Sequence, residues 1–565
     1  MKLSKLWYFL LVYCLWHATN ALANDVLYHW FEYEGKDTIF MPPLEKGQYQ
    51  NPIIAGFYPD PSITRVDDTY YMVHSSFAYF PGVPLFASTD LVNWRSLGHI
   101  LTRSSQVGSE KVGVSEGVFA PTLRYHNGTF YMITTAVASG GNFIVTAKDP
   151  QGPWSEPILL PEIDGIDPDI FFDDNGKVYI THNGPPEGEP LYNGHRAIWV
   201  WQYDPVTQKV LADSGRVVVN GGVDISQKPI WIEAPHIYKI NDWYYLLCAE
   251  GGTGDWHSAV VFRSRSMDEA FVPYEKNPIL TQRHQPADRE NPISATGHAD
   301  IVQTAAGEWW AVFLGTRNYS QSHFNTGRET FLLPVQWQDE WPIILPKGEL
   351  LPYRLALPKG MKATLDADIT TGNFRWRDDF STQQLRNDWS LLRASRQQPY
   401  RLISGGGLTL EPRKVSLADR AQPAFVGRRQ QHMRFNAATE LQIPGDSKIS
   451  AGITAFQNEK YHYFLALRRT EKNVEIFLEK AEDSMPKTIE KAMISLGSSQ
   501  AKTMVLGIEG EVDKLSFYYQ LGEGDKKYLA KNKDATILST SIAGGFVGVH
   551  LGMHARLNTS KAFEI

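Results

Sequence analysis

Apolar and polar residues alternate in short runs along almost the whole chain, and Gly, Asn and Asp turns close the runs. Helical periodicity is scarce, so the pattern predicts an all-β protein. In the first two-thirds the alternation repeats itself. Units beginning at Ile63, Leu123, Ile170, Ile237 and Ile301 each run from an apolar start through a polar turn to a returning strand, with an aromatic eight or nine positions on. Turns such as Asn127-Gly128 and Asn175-Gly176 suit tight hairpins. Steps between units span 47 to 67 residues, the size of a propeller blade with variable outer loops. Five units predict a five-bladed β-propeller over residues 51–345; a long β-sandwich with unrelated hairpins is the competing reading.

Pro346, Pro352 and Pro358, with Gly348 and Gly360, punctuate residues 346–373, which read as a linker. A second alternating pattern starts near Phe374-Arg375-Trp376 and continues through stretches such as Tyr461-His462-Tyr463-Phe464-Leu465. It predicts a β-sandwich over residues 374–565. Residues 24–50 precede the first blade as a lead segment to which the pattern assigns no role.

The first 23 residues change the picture of where the chain works. Lys2 and Lys5 precede an apolar stretch from Leu6 to Trp16, and Ala21-Leu22-Ala23 supplies a small-x-small site. This is the layout of a cleaved secretory signal, so the product is expected to be exported, to the periplasm or outside the cell. Tyr13 before Cys14 argues against a lipoprotein signal, and no later stretch is long and apolar enough for a membrane span. Two Cys exclude a disulfide scaffold and a thiolate metal cluster; Cys248, in an apolar strand, reads as a packing residue. A formal charge of −7 argues against nucleic acid as a partner. Asn127-Gly128-Thr129 has the form of a glycosylation sequon, but as a hairpin turn it needs no such role.

Three residues before the aligned apolar position of each unit stand Asp60, Ala120, Asp167, Ala234 and His298, with Glu233 one place before Ala234. Equivalent positions of innermost strands converge on a propeller axis, so three carboxylates and a histidine are expected at one end of one channel. Crowded acids push one another's pKa apart, leaving one ionised and another protonated, the division of labour that glycoside hydrolysis needs. Taken singly, Asp before Pro is a common turn-former, and calcium binding would also gather carboxylates.

These residues resemble glycoside hydrolase family 43, in particular its β-xylosidase and α-L-arabinofuranosidase members. The resemblance is carried by the stretch from Asn51 through Tyr58-Pro59-Asp60-Pro61-Ser62, by Phe80-Pro81-Gly82-Val83 and by Phe119-Ala120-Pro121. Further on it rests on Gly165-Ile166-Asp167-Pro168-Asp169, Glu233-Ala234-Pro235-His236, Ala249-Glu250-Gly251-Gly252-Thr253 and Gly297-His298-Ala299-Asp300. It implies a five-bladed propeller followed by a concanavalin-like sandwich that can lean a loop over the active-site mouth. It also implies inversion at the anomeric carbon, with Asp60 as general base, Glu233 as general acid and Asp167 as modulator of its pKa. Arg328 matches an arginine directed at substrate hydroxyls. Phe77, Trp256 and His257 are candidate walls for a sugar face. His298 matches an axial histidine that neighbours a calcium or a water in several members; no cofactor is otherwise implied.

The implied substrates are xylo- or arabinoxylo-oligosaccharides from plant hemicellulose, from which xylosyl or arabinosyl residues would be removed. A non-catalytic carbohydrate-binding propeller and a surface adhesion module are the alternatives. Two departures bear on substrate: Ala78-Tyr79 stands where many xylosidases carry an acidic-aromatic pair, and Thr122 stands where an Asp is usual. Both are expected to alter the pocket near the sugar. The chain also stops at Ala562-Phe563-Glu564-Ile565, earlier than the resemblance leads one to expect.

Overall fold

The computed structural model describes residues 25–108, 111–320, 322–483, 485–496 and 502–558. The expected export signal at 1–23 and the terminal residues 562–565 lie outside the described residues. Among these residues the first domain consists of five antiparallel sheets in chain order. The first pairs Ser62–Val66, Thr69–Val73, Gly82–Ser88 and Arg95–Leu101, and the second opens with Thr122–His126 and Thr129–Ala136. The third opens with Ile166–Phe172 and Val178–Gly184, the fourth with Glu233–Ile240 and Trp243–Glu250, the fifth with Ile293–Gln303 and Trp309–Arg317. The opening strands touch in a closed cycle, each against the next and the fifth against the first, so all five face one axis.

The anchors of the repeat explain the packing. Ile63, Leu123, Ile170, Ile237 and Ile301 are all buried, and each sits in a different apolar cluster wedged between neighbouring sheets. Cys248 belongs to the cluster between the third and fourth sheets. The second hairpin turn has Asn127 at φ 46° and Gly128 at φ 72°, the pair of left-handed residues that matches the twist of a two-residue hairpin.

The second domain is a sandwich of an eight-stranded and a six-stranded antiparallel sheet. Tyr28, Leu441 and Ile508 of the first sheet share one core with Val426, Ile453 and Leu465 of the second. The lead segment, unassigned by the sequence pattern, supplies Val26–Gly35, an inner strand of this sandwich between Leu408–Leu410 and Arg434–Gln442. Its Tyr28, Phe31 and Tyr33, brought to one face by a register shift between Tyr28 and Trp30, are fully buried there. The linker is not free either: Arg354–Ala356 pairs with Gln48–Gln50, and the Thr364 and Ser96 amides donate to Asp90 and Asp368 across the edge of the first sheet.

The two domains meet along a tight seam. Tyr79–Phe80 of the propeller pairs with Leu391–Leu392, and Phe57, Phe77, Tyr79, Phe425 and Val547 form one apolar cluster. Arg317, 1% exposed, binds Glu329 at 2.6 Å and Asp37 at 2.8 Å, while Asp37 also accepts the Met433 and Arg434 amides. Removing one partner of such a buried set costs several kcal/mol, about 3–5, so it fixes how the domains sit.

Candidate active site

At the axis, the strand entries adopt an uncommon backbone. Asp60, Asp167, Ala234 and His298, the repeat-equivalent positions of four sheets, have φ of 53°, 55°, 51° and 49°. Left-handed geometry costs an L-residue about 1–2 kcal/mol, and the pairing registers of the third, fourth and fifth sheets shift at the same places. Each shift breaks the in-out alternation and turns a side chain towards the channel mouth. Such strain persists only where the surroundings enforce it, and it clusters at functional sites.

The side chains so placed line one cavity of about 530 Å³. Asp60, Asp167, Glu233, His257, His298 and Arg328 all border it. Its apolar walls are Phe77, Phe119 and Trp231, with Phe546 reaching over from the sandwich. Phe77 and Phe546 stack at 5.9 Å, and the Arg328 guanidinium lies 5.8 Å from the centre of each ring. The sandwich thus closes one side of the cavity and helps hold the arginine in place.

The three acids have unequal surroundings. Asp60 receives Arg328 Nη1 at 2.8 Å on Oδ1 and the Ser75 hydroxyl at 2.6 Å on Oδ2, with His298 Nδ1 3.5 Å away. Burial pushes its pKa up, but Arg328, His298 and Ser75 outweigh that and hold the carboxyl below its ordinary value. Among the described residues Asp167 accepts a single long bond, 3.2 Å, from the Ala234 amide, and burial and the Asp60 charge push it up to about 7. Glu233 is driven well above the carboxylate range by burial and by the charges of Asp167 and Asp60. Asp167 and Glu233 therefore titrate as a pair, with Asp60 ionised beside them. His257 and His298 are held neutral, first by burial, at about 4 and 3.

Not every expected residue belongs here. Trp256 does not line this cavity; it is 64% exposed and borders a neighbouring hollow, because the loop Gly251 to Asp255 turns it outward. Ala78 and Tyr79 do not line it either: Tyr79 stacks on His550 at 3.7 Å in the domain seam. Thr122 is buried one layer below. The two departures expected to reshape the pocket therefore lie outside its walls.

The sequence reading missed that lower layer. Two residues further along the inner strands stand Ser62, Thr122, Asp169, His236 and Asp300. In their midst Arg124 binds Asp169 at 3.1 Å and Asp300 at 2.9 Å and approaches His236 Nδ1 at 3.1 Å. Asp300 also accepts the Ser62 hydroxyl at 2.8 Å, the Ile63 amide at 3.0 Å and the Tyr238 hydroxyl. The same repeat alignment, moved by two positions, carries the signal. Ser75, Phe119, Trp231 and Phe546 were also missed; Phe119 stands one place before Ala120, as Glu233 stands before Ala234, and the others come from loops and from the other domain.

These donors do not fit a calcium ion. Calcium takes six to eight oxygens, about 2.3–2.6 Å away. The axial carboxylates of Asp169 and Asp300 are already committed to Arg124, and His298 offers a nitrogen turned towards Asp60. Among the described residues no group of three or more His, Cys, Asp or Glu side chains could hold a metal.

A propeller mouth holding one cation-paired acid and two unpaired acids in a sugar-sized cavity has the makings of a glycosidase centre, and the comparisons agree. Residues 49–342 match the family model for glycosyl hydrolases family 43, and residues 377–563 match the β-xylosidase C-terminal concanavalin A-like domain. The chain belongs to glycosyl hydrolase family 43. It is 37% identical over 517 residues to a xylosidase/arabinosidase of Butyrivibrio fibrisolvens, covering 90% of this chain and 96% of the relative. It is 34% identical to the non-reducing end α-L-arabinofuranosidase BoGH43B of Bacteroides ovatus, covering 91% and 92%. Among solved structures, a GH43_12 protein from a capybara gut metagenome superposes with TM-score 0.88 at 40% identity, covering 94% of this chain and all of that one.

Proposed function

We propose that this protein is an inverting glycosidase that removes xylosyl or arabinosyl residues from hemicellulose oligosaccharides. The observation that carries the reading is the unequal pairing of three acids in one cavity: Asp60 bound to Arg328, with Asp167 and Glu233 lacking any cation within salt-bridge distance among the described residues. Ionised Asp60 takes a proton from a water as that water attacks the anomeric carbon. Protonated Glu233 gives its proton to the leaving oxygen, so the glycosidic bond breaks without an alkoxide. Asp167 keeps Glu233 protonated by disfavouring a second charge beside it. Arg328, fixed by Asp60 and by its two flanking rings, presents the rest of its fork to sugar hydroxyls.

Both pentoses are included because the relatives carry both names, and a β-D-xylopyranoside and an α-L-arabinofuranoside present similarly placed hydroxyls. We also propose export, on the charged, apolar and small-residue pattern of residues 1–23; cell fractionation checks it. The functional test is parallel kinetics on the nitrophenyl β-D-xylopyranoside and α-L-arabinofuranoside, with the first product anomer followed by NMR. α-Xylose as first product from the β-xyloside is expected. Appearance of β-xylose first would replace inversion by a double displacement, and inertness towards both glycosides would remove the pentosidase reading.

A further inference from the structure

Next to the catalytic cavity lies a second hollow of about 470 Å³, and Ile230 and Gly251 line both. Trp256 borders it with most of its ring in solvent, touched edge-on by His284 at 6.2 Å. Glu250 lies at its base, 8% exposed, and its carboxylate accepts one hydrogen bond among the described residues, 2.8 Å from the Val223 amide. Arg283 borders it too, and its Nε is buried without a hydrogen-bond partner. An open indole beside a buried acid and an unsatisfied guanidinium nitrogen suits a neutral sugar: C–H groups lie on the ring, and hydroxyls bridge acceptor and donor.

The position of the hollow says which sugar. Ile230, its shared wall, precedes Glu233 by three residues, and Gly251 continues the strand whose Ala249 pairs with Glu233. Asp60 and its partners Ser75, His298 and Arg328 do not border it. The second hollow is therefore on the side of the residue that protonates the leaving oxygen. We propose that it is a distal subsite for leaving-group sugars, in which a pentose of the oligosaccharide chain stacks on Trp256 and hydrogen-bonds to Glu250 and Arg283. This rests on Glu233 being the proton donor, and it makes the enzyme a reader of chain length.

The test is a ladder of substrates: the aryl glycoside, then xylobiose through xylohexaose or their arabinosyl-decorated forms, on wild type and Trp256→Ala. Trp256 is exposed, so the variant is expected to melt like wild type. In wild type, kcat/KM should rise along the ladder. In the variant the ratio of kcat/KM for the long oligosaccharide to that for the aryl glycoside should fall about tenfold, mainly through KM. Glu250→Gln, a same-size change, should lower the same ratio without the loss of ring surface. A flat ladder in an active wild type, or equal losses on all substrates in Trp256→Ala, would overturn the subsite while leaving the glycosidase intact. A wild type inert on every member would instead sink the reading beneath it, and the subsite with it.

Discussion

Two layers of the same channel, two residues apart along the same five strands, are built from similar side chains and behave in opposite ways. The lower layer gives both of its acids a share of one cation. Arg124 lies between Asp169 and Asp300, and hydroxyls and amides supply further donors to the two carboxylates. Against its burial, Asp300 is held far below the ordinary carboxylate value by Arg124, with His236 and Tyr238 assisting. The upper layer is short of cations. Arg328 serves Asp60, and burial with mutual repulsion drives Asp167 and Glu233 up. The difference teaches that burial alone does not set an acid's state: a buried carboxylate with a guanidinium stays ionised, and one without it stores a proton near neutral pH.

The upper layer should fail first in chemistry. Asp60→Asn removes the proton acceptor and is expected to cut kcat on every substrate by about 10³- to 10⁴-fold. Glu233→Gln should cost about 10²- to 10³-fold on natural oligosaccharides and much less on aryl glycosides with good leaving groups, which need little protonation. Equal losses on both leaving groups would deny Glu233 the acid's part. The melting temperature of Glu233→Gln should stay at or above that of wild type, because the change relieves repulsion among the acids, whereas Asp60→Asn strands the buried Arg328 guanidinium and should melt lower.

The lower layer should fail in folding and not first in chemistry. Arg124→Met keeps bulk but strands two buried carboxylates, at an expected loss of about 3–5 kcal/mol in denaturant unfolding. The pH dependence follows from the sign of the shift. Asp300 is depressed in the native state, so its stabilisation is complete above the ordinary carboxylate value of 3.8 and fades as pH falls through and below it. The gap between wild type and variant should therefore narrow in acid. A loss under 1 kcal/mol at neutral pH would remove Arg124 from its place at the centre of the ring.

Much of this was legible in the sequence because repetition is a register. Ile63, Leu123, Ile170, Ile237 and Ile301 align by burial, and the residues three before them align by backbone conformation. Once that register is set, Asp60, Asp167 and His298 need no further information to converge, and Glu233 follows one place before Ala234. What was not legible came from outside the repeat. Phe546 lies 427 residues after Phe119, and nothing local says that they share a wall. Trp256 was misplaced because loop residues carry no periodic signal for direction. Val26–Gly35 was unassigned because its partners, 408–410 and 434–442, lie on the far side of the whole propeller in the chain.

Asp167 sharpens the comparison within the upper layer. Its negative charge, when present, disfavours ionisation of Glu233, so Asp167→Asn should lower the Glu233 pKa and move the alkaline limb of the pH–rate profile to lower pH, by about one unit. The acid limb, set by Asp60, should stay in place, since Asp167 is already protonated at the pH where Asp60 titrates. A fixed alkaline limb with reduced kcat would leave Asp167 a positioning role through the Ala234 amide and no electrostatic one.

The smallest expected effect concerns the axis itself. If the guanidinium of Arg124 is the resident cation, a divalent ion finds the carboxylate oxygens already engaged: Asp300 Oδ2 accepts Ser62, Ile63 and Arg124. We propose that dialysis against a chelator changes neither kcat nor melting temperature beyond measurement error, and that calcium added back does nothing. The informative arm is Arg124→Ala, which empties the centre while keeping Asp169, Asp300 and His236. Calcium should raise the melting temperature of that variant alone, by trading one cation for another at the same carboxylates. Chelator sensitivity in the wild type would place a metal on groups other than these, and would break the likeness drawn between a guanidinium and an ion.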